Sequence, residues 1–202
     1  MDNFLRPLRR RSDSGFIIIV SGLPRSGTSM MMKMLEAGGI APYTDNIRTA
    51  DEDNPKGYYE FERVKKLPDG DNEWLPDARG KAVKVISALL EHLPAEYNYR
   101  VLFMQRKMEE ILASQKQMLI RNGEPADSVS DEQLAEMFTK HQAKVNAWLA
   151  NQPNFSVIYM DYNQMLAEPA KYANQANELL GGIMEPQAMA AVVDANLYRQ
   201  RK

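Results

Sequence analysis

The first regular pattern in the chain is Phe16-Ile17-Ile18-Ile19-Val20-Ser21, a continuous apolar and β-branched run with no polar alternation. Such a run predicts a strand covered on both faces, as in a parallel sheet with helices on either side. Gly22 and Pro24 break it, and Thr28–Gly38 then predicts a helix with Met31, Met34 and Leu35 on one side, closed by Gly38-Gly39. The stretch Ile40–Gly57 is polar and turn-rich, and a short helical segment is expected around Glu60–Lys66. Further strands are expected at Ala82–Ile86, Arg100–Gln105 and Phe155–Met160. Helical patterns fill Met108–Arg121 and Asp131–Asn151, the second with Leu134, Met137, Phe138, Val145, Trp148 and Leu149 at helical spacing. Asn122–Ser130 between them carries Gly, Pro and Ser and predicts an exposed connection. Glu168-Pro169 opens a last predicted helix that ends at Gly181-Gly182. Strands alternating with helices call for a layered α/β domain with right-handed crossovers.

Composition narrows this picture. A chain of 202 residues, 44% apolar and 26% charged, is expected to form one ordinary globular domain over residues 16–202. Residues 1–15 hold Arg6, Arg9, Arg10 and Arg11 and read as a basic, solvated tail. A net charge of −2 argues against broad nucleic-acid binding driven by counterion release. With no cysteine, a disulfide framework, a thiolate metal site and a thiol nucleophile are all excluded. No apolar stretch reaches signal-peptide or membrane-spanning length, so a cytoplasmic protein with no membrane span is expected.

The chemistry concentrates in Ser21-Gly22-Leu23-Pro24-Arg25-Ser26-Gly27-Thr28-Ser29, which joins the buried strand to the first helix. Glycines there let backbone N–H groups curl around an anion, the helix N-terminus adds positive field, and Thr28 and Ser29 supply short hydroxyl donors. Each charge-assisted contact of this kind contributes roughly 1.5–3 kcal/mol. The nucleotide-triphosphatase pattern G-x-x-x-x-G-K-[ST] is met at Gly22, Gly27 and Ser29, but Thr28 stands where its lysine belongs. That lysine reaches the β- and γ-phosphates, so its replacement argues against triphosphate chemistry. Arg25 instead puts a permanent forked cation inside the loop, able to grip a phosphate or a sulfonate. The competing reading is a strand–helix turn that binds nothing.

The strand ending at Gln105 is followed by Arg106, and Ser114 comes eight positions later on the next helix. Met108, Ile111, Leu112 and Leu119 define that helix's buried stripe, and at about 100° per residue Ser114 falls on its border. A hydroxyl there faces a crevice at the carboxyl end of the sheet, where ligands of open α/β folds bind.

Leu23-Pro24-Arg25-Ser26-Gly27-Thr28-Ser29 resembles the 5′-phosphosulfate loop of sulfotransferases, in the Pro-Arg-Ser-Gly-Thr form of bacterial and Golgi members. Arg106 with Ser114 resembles the arginine and serine with which that family binds a 3′-phosphate. Val157–Pro169, with Leu179-Leu180-Gly181-Gly182 beyond it, is similar to the family's late strand, Tyr-x-x-Leu-x-x-x-Pro helix and closing Leu-Gly. These matches span about residues 16–182. The resemblance implies a P-loop NTPase-like three-layer domain, a central parallel sheet flanked by helices. It implies 3′-phosphoadenosine 5′-phosphosulfate (PAPS) as cofactor, with 3′,5′-adenosine bisphosphate (PAP) as product. Pro24, Arg25, Ser26, Gly27, Thr28 and Ser29 would hold the 5′ side, and Arg25 would steady the bridging oxygen as the sulfuryl group leaves. It makes Asp161 a structural residue rather than a metal ligand, and no metal is expected. One family element is missing: no Arg-Lys-Gly-x-x-Gly segment lies near the C-terminus, where Arg199 is the residue that could partly replace it.

Sulfuryl transfer needs an in-line acceptor, a base for its proton and cations on the moving charge. Glu60, expected to open a helix beneath Tyr58 and Tyr59, is the first candidate base, with a simple ion pair to Arg63 or Lys56 as the alternative. Lys84, in the Ala82–Ile86 strand, either touches the sulfonate or reaches solvent at the sheet's edge. His92 and His141 read as structural. The expected function is sulfuryl transfer from PAPS to a hydroxyl or amine of a small-molecule or carbohydrate acceptor. The acceptor pocket should come from loops such as Ile40–Gly57 and Asn122–Ser130. A P-loop kinase or other phosphotransferase, and a non-catalytic nucleotide-binding module, stand as alternatives.

Overall fold

A computed structural model describes residues 15–45, 47, 59–126 and 128–193. Strand β1 (Phe16–Gly22) runs through the middle of a four-stranded sheet with β2 (Ala82–Lys84), β3 (Asn98–Gln105) and β4 (Phe155–Asp161), in the order β2-β1-β3-β4. All three pairings are parallel. Ile17, Ile18, Ile19 and Val20 have no exposed surface, as a strand covered on both sides requires.

Alternation along β1 assigns its residues to two cores. Ile18 and Val20 join Leu102 and Met104 of β3 beneath α1 (Thr28–Ala37), α5 (Pro169–Leu179) and α6 (Pro186–Ala191). Ile17 and Ile19 face the other way, with Val101 and Phe103, toward α3 (Asp131–Leu149) and the 3-10 segments Glu62–Asp69, Leu75–Ala78 and Ser87–His92. The expected three-layer arrangement is therefore present, with helices on both faces of a parallel sheet.

Strands and the first two long helices fall where the hydrophobic pattern puts them; α2 covers Met108–Arg121. Four expectations need correction. The strand expected over Ala82–Ile86 stops at Lys84, because Ile86 already caps the 3-10 turn that follows. The segment expected from Glu60 is a 3-10 helix beginning at Glu62, with Pro68 inside it. The stripe read along α3 buries only Val145 and Leu149, and Met137 is 60% exposed, so the apolar pattern runs past the part of the helix that meets the core. The last helix is not the last: α4 (Tyr162–Ala167) precedes α5 and α6 follows Gly182. Pro169 forces the break between α4 and α5 by holding Glu168 out of the helical region, at φ −128° and ψ 56°.

The topology fixes where a ligand can sit. The chain leaves β1 for β2 on one side and then returns to β3 on the other, so the crevice at the carboxyl ends of β1 and β3 is the switch point of the sheet. The Leu23–Gly27 loop and Arg106 follow the ends of β1 and β3 on that rim, and Lys84 and Asp161 are the last residues of β2 and β4. Among the described residues no helix is long and apolar enough to cross a membrane.

Candidate functional site

The loop between β1 and α1 takes its shape from its backbone. Gly22, Arg25 and Gly27 have φ of 144°, 70° and 101°. Positive φ at a residue with a side chain costs of order 1–3 kcal/mol and clusters at ligand clamps, which makes Arg25 notable. Packing demands the two glycines as much as the dihedrals do. A Cβ on Gly22 would lie 2.5 Å from Ser26 Oγ and 2.6 Å from the Met104 carbonyl oxygen, and one on Gly27 would lie 2.3 Å from Tyr162 Cδ2. Ser26 is fully buried, and its Oγ donates to the Leu23 carbonyl at 2.7 Å. Its hydroxyl thus braces the turn from inside. Gly27 caps α1 without a side-chain partner, so the first amides of the helix point at the crevice with their positive field.

Arg25 and Arg106, from loops 81 residues apart, meet here: Arg106 Nη1 donates to the Arg25 carbonyl at 3.1 Å. Arg25 Nε donates to Ser114 Oγ at 2.8 Å. Ser114 is 6% exposed, where the stripe geometry of α2 puts it. The Arg106 guanidinium lies over the Tyr162 ring, 4.5 Å from its centroid, and Nε donates to Glu110 Oε2 at 2.8 Å. Burial pushes the Tyr162 phenol up, against the opposing pull of Arg106, so the ring stays neutral beneath the guanidinium.

Lys84 completes the cationic set. Parallel register places it beside Val20, and its side chain, only 11% exposed, points inward rather than to solvent. Its Nζ lies 3.4 Å from Ser29 Oγ and 3.4 Å from Glu60 Oε1. Glu60 is anchored through its carbonyl, which accepts from Thr44 Oγ1 at 2.7 Å. The residue before it, Tyr59, has φ 53°, and its OH donates to Glu36 Oε2 at 2.6 Å. Of the two tyrosines expected above Glu60, only Tyr59 is among the described residues.

The fold therefore gathers Arg25, Ser29, Glu60, Lys84, Arg106 and Ser114 on one rim, with Pro24, Ser26, Gly27 and Thr28 forming the turn between them. Arg199 lies outside the described residues. Asp161 caps α4 by accepting from the Gln164 amide at 2.9 Å, the structural role expected of it. His141 pairs with Ser87 Oγ at 2.9 Å between α3 and the 3-10 turn. Tyr162, Glu110 and Asn163 belong to the site and were not expected from the sequence. Glu110 carried a signal, in the first turn of α2 four positions after Arg106, a spacing at which opposite charges meet. Tyr162 and Asn163 carried none, since their role depends on β4 lying beside β3.

No family model matches the chain, and no curated protein matches it. Solved structures do. The sulfotransferase domain of the olefin synthase of Synechococcus PCC 7002 superposes with a TM-score of 0.55 at 14% identity, over 93% of this chain and 80% of that one. A retinol dehydratase in complex with androsterone and the inactive cofactor PAP gives 0.49 at 13% identity, over 88% of this chain and 63% of its own. The mouse sulfotransferase SULT7A1, complexed with PAP, gives 0.48 at 15%, over 90% and 63%. The chain thus spans less than two thirds of those last two proteins. The first superposition establishes the fold: this chain has the three-layer, P-loop-type architecture of that sulfotransferase domain.

Proposed function

We propose that this chain is a PAPS-dependent sulfotransferase, a single domain over residues 16–202 acting on a hydroxyl or amine of a small-molecule or carbohydrate acceptor. One observation carries the reading. Two guanidinium groups from separate loops, Arg25 and Arg106, converge at the switch point of the sheet with Lys84 on the same rim. Forked cations of this kind grip phosphate and sulfonate oxygens bidentately.

The donor set fits PAPS. The amides after Gly27 and the Ser29 hydroxyl would hold its 5′-phosphate, and Arg106 with Ser114 would face its 3′-phosphate. Arg25, whose Nε donates to Ser114 Oγ at 2.8 Å, would stabilise the charge that develops on the bridging oxygen as the phosphate leaves. When bound, PAPS supplies the sulfuryl group. Lys84 bridges the loop and Glu60, which lets one ammonium serve the moving charge while it holds a carboxylate near the acceptor side. Glu60 is the proposed base for the acceptor proton, and the acceptor would approach from the side of the rim where Lys84 and Glu60 meet. The proposed setting is the cytoplasm; with no cysteine the fold needs no disulfide and tolerates a reducing compartment.

The test is turnover. Incubation with PAPS and a panel of phenols, alcohols, amines and sugars should release PAP and give an acceptor product heavier by one sulfuryl group. Glu60→Gln should abolish most of that turnover while PAP binding stays within about twofold of the parent, since the carboxylate acts on the acceptor and not on the nucleotide. Magnesium-dependent binding of ATP, with no binding of PAP, would instead make the protein a phosphotransferase.

A further inference from the structure

Arg106 is held by more than the motif that predicts it. Its side chain is 8% exposed, and Glu110, the partner of its Nε, is 2% exposed. The other carboxylate oxygen, Glu110 Oε1, accepts from Asn163 Nδ2 at 2.8 Å. Asn163 Oδ1 in turn accepts from the Lys107 amide at 3.5 Å, so the path closes on the residue next to Arg106. The start of α2 and the start of α4 are thereby tied together around one guanidinium, which also lies over Tyr162. Stability does not account for this arrangement. A buried ion pair gains little over an apolar pair of the same volume, because desolvation offsets the attraction. What such a pair does supply is a fixed orientation of a forked donor.

We propose that Glu110 and Asn163 are positioning residues that set the protein's selectivity for a 3′-phosphorylated nucleotide by aiming Arg106. The inference rests on the reading above, in which Arg106 faces the 3′-phosphate. Positioning and charge have opposite signs here, and that makes them separable. Removing the Glu110 charge leaves the rim more positive, so charge alone predicts tighter binding of every anion. Loss of aim predicts weaker binding of the 3′-phosphate specifically.

The experiment is calorimetric titration of the full chain with PAP and, separately, with adenosine 5′-monophosphate, the ratio of the two affinities being the readout. The parent should favour PAP by about tenfold or more, the value of one well-made charge-assisted contact. In Glu110→Gln, which keeps the shape, that ratio should fall by about fivefold. In Asn163→Ala, which keeps every charge, it should fall by about two- to threefold. A ratio that is unchanged or raised in both variants, whatever happens to their melting temperatures, overturns the inference, because a purely structural role lowers stability and leaves selectivity alone. Should Glu110→Gln fail to fold, Asn163→Ala decides the matter by itself. A parent protein that binds both nucleotides equally refutes the reading of Arg106 itself, a different failure from a selective parent whose variants are equally selective.

Discussion

Gly27→Ala isolates the contact on which the loop depends. The added Cβ would lie 2.3, 2.9 and 3.3 Å from Cδ2, Cε2 and Cγ of Tyr162. Carbon atoms rest at about 3.5–4.0 Å, so ring or loop must move by more than about 1 Å. Tyr162 is 6% exposed and belongs to the core beneath α1, which leaves the ring no open space to enter. Overpacking of this kind costs about 1–3 kcal/mol. The φ of 101° adds the left-handed penalty of a side chain, about 1–2 kcal/mol. For a chain of this length the combined effect should lower Tm by about 4–20 °C, as read by circular dichroism. Gly39→Ala is the matched control: its φ is 99° and nothing lies within 4 Å of the added Cβ. It should lose only the backbone part. In Gly27→Ala/Tyr162→Ala the ring is gone, so the pair should be less destabilised than the two single changes added together. If Gly27→Ala loses no more than Gly39→Ala, the Tyr162 contact is not what shapes the loop and the reasoning fails.

Two other outcomes follow from the same geometry. Ser114→Ala removes the oxygen that accepts from Arg25 Nε and should reduce kcat/KM about tenfold with PAPS, near the low end of a charge-assisted contact; an unchanged value would show that Arg25 is aimed by something else. Tyr99 is buried, and burial first, then the Glu96 carboxylate, pushes its phenol well above the ordinary value. Its contribution is therefore complete below the unfolded pKa near 10 and lost as pH rises through the folded value. Tyr99→Phe should flatten the fall of Tm above about pH 10, while costing about 0.5–1.5 kcal/mol at neutral pH through the hydrogen bond to the Pro94 carbonyl. Tyr59 and Tyr162, raised for the same first reason, should keep part of the slope.

What the chain reveals before folding depends on range. The buried strand, the glycine loop and the helix after it were legible because apolar runs, breaks and caps act within a few residues; α2 could be read to its ends for the same reason. Arg106 and Ser114 were legible as a pair through the family resemblance, and the stripe of α2 put Ser114 at its border. Lys84 was ambiguous: whether a strand lysine turns to solvent or to a loop depends on β2 pairing with β1, so that Lys84 lies beside Val20. The bond from Arg25 to Ser114 spans 89 residues and exists only once β1 and β3 are neighbours. Tyr162 beneath Gly27 and Asn163 beside Glu110 required β4 to be placed, and no local pattern places it. The six-residue α6, opened by Pro186, was too short to show a period.

On the proposed function, the rim that carries Arg25 and Arg106 binds a nucleotide with two separate phosphates and needs no divalent ion to do so. Thermal unfolding with PAP, in EDTA and again in magnesium, tests it most directly. At a hundred times the dissociation constant PAP should contribute about 2.7 kcal/mol and raise Tm by about 5–11 °C equally in both buffers. No shift at millimolar PAP, or a shift that appears only with magnesium, contradicts it.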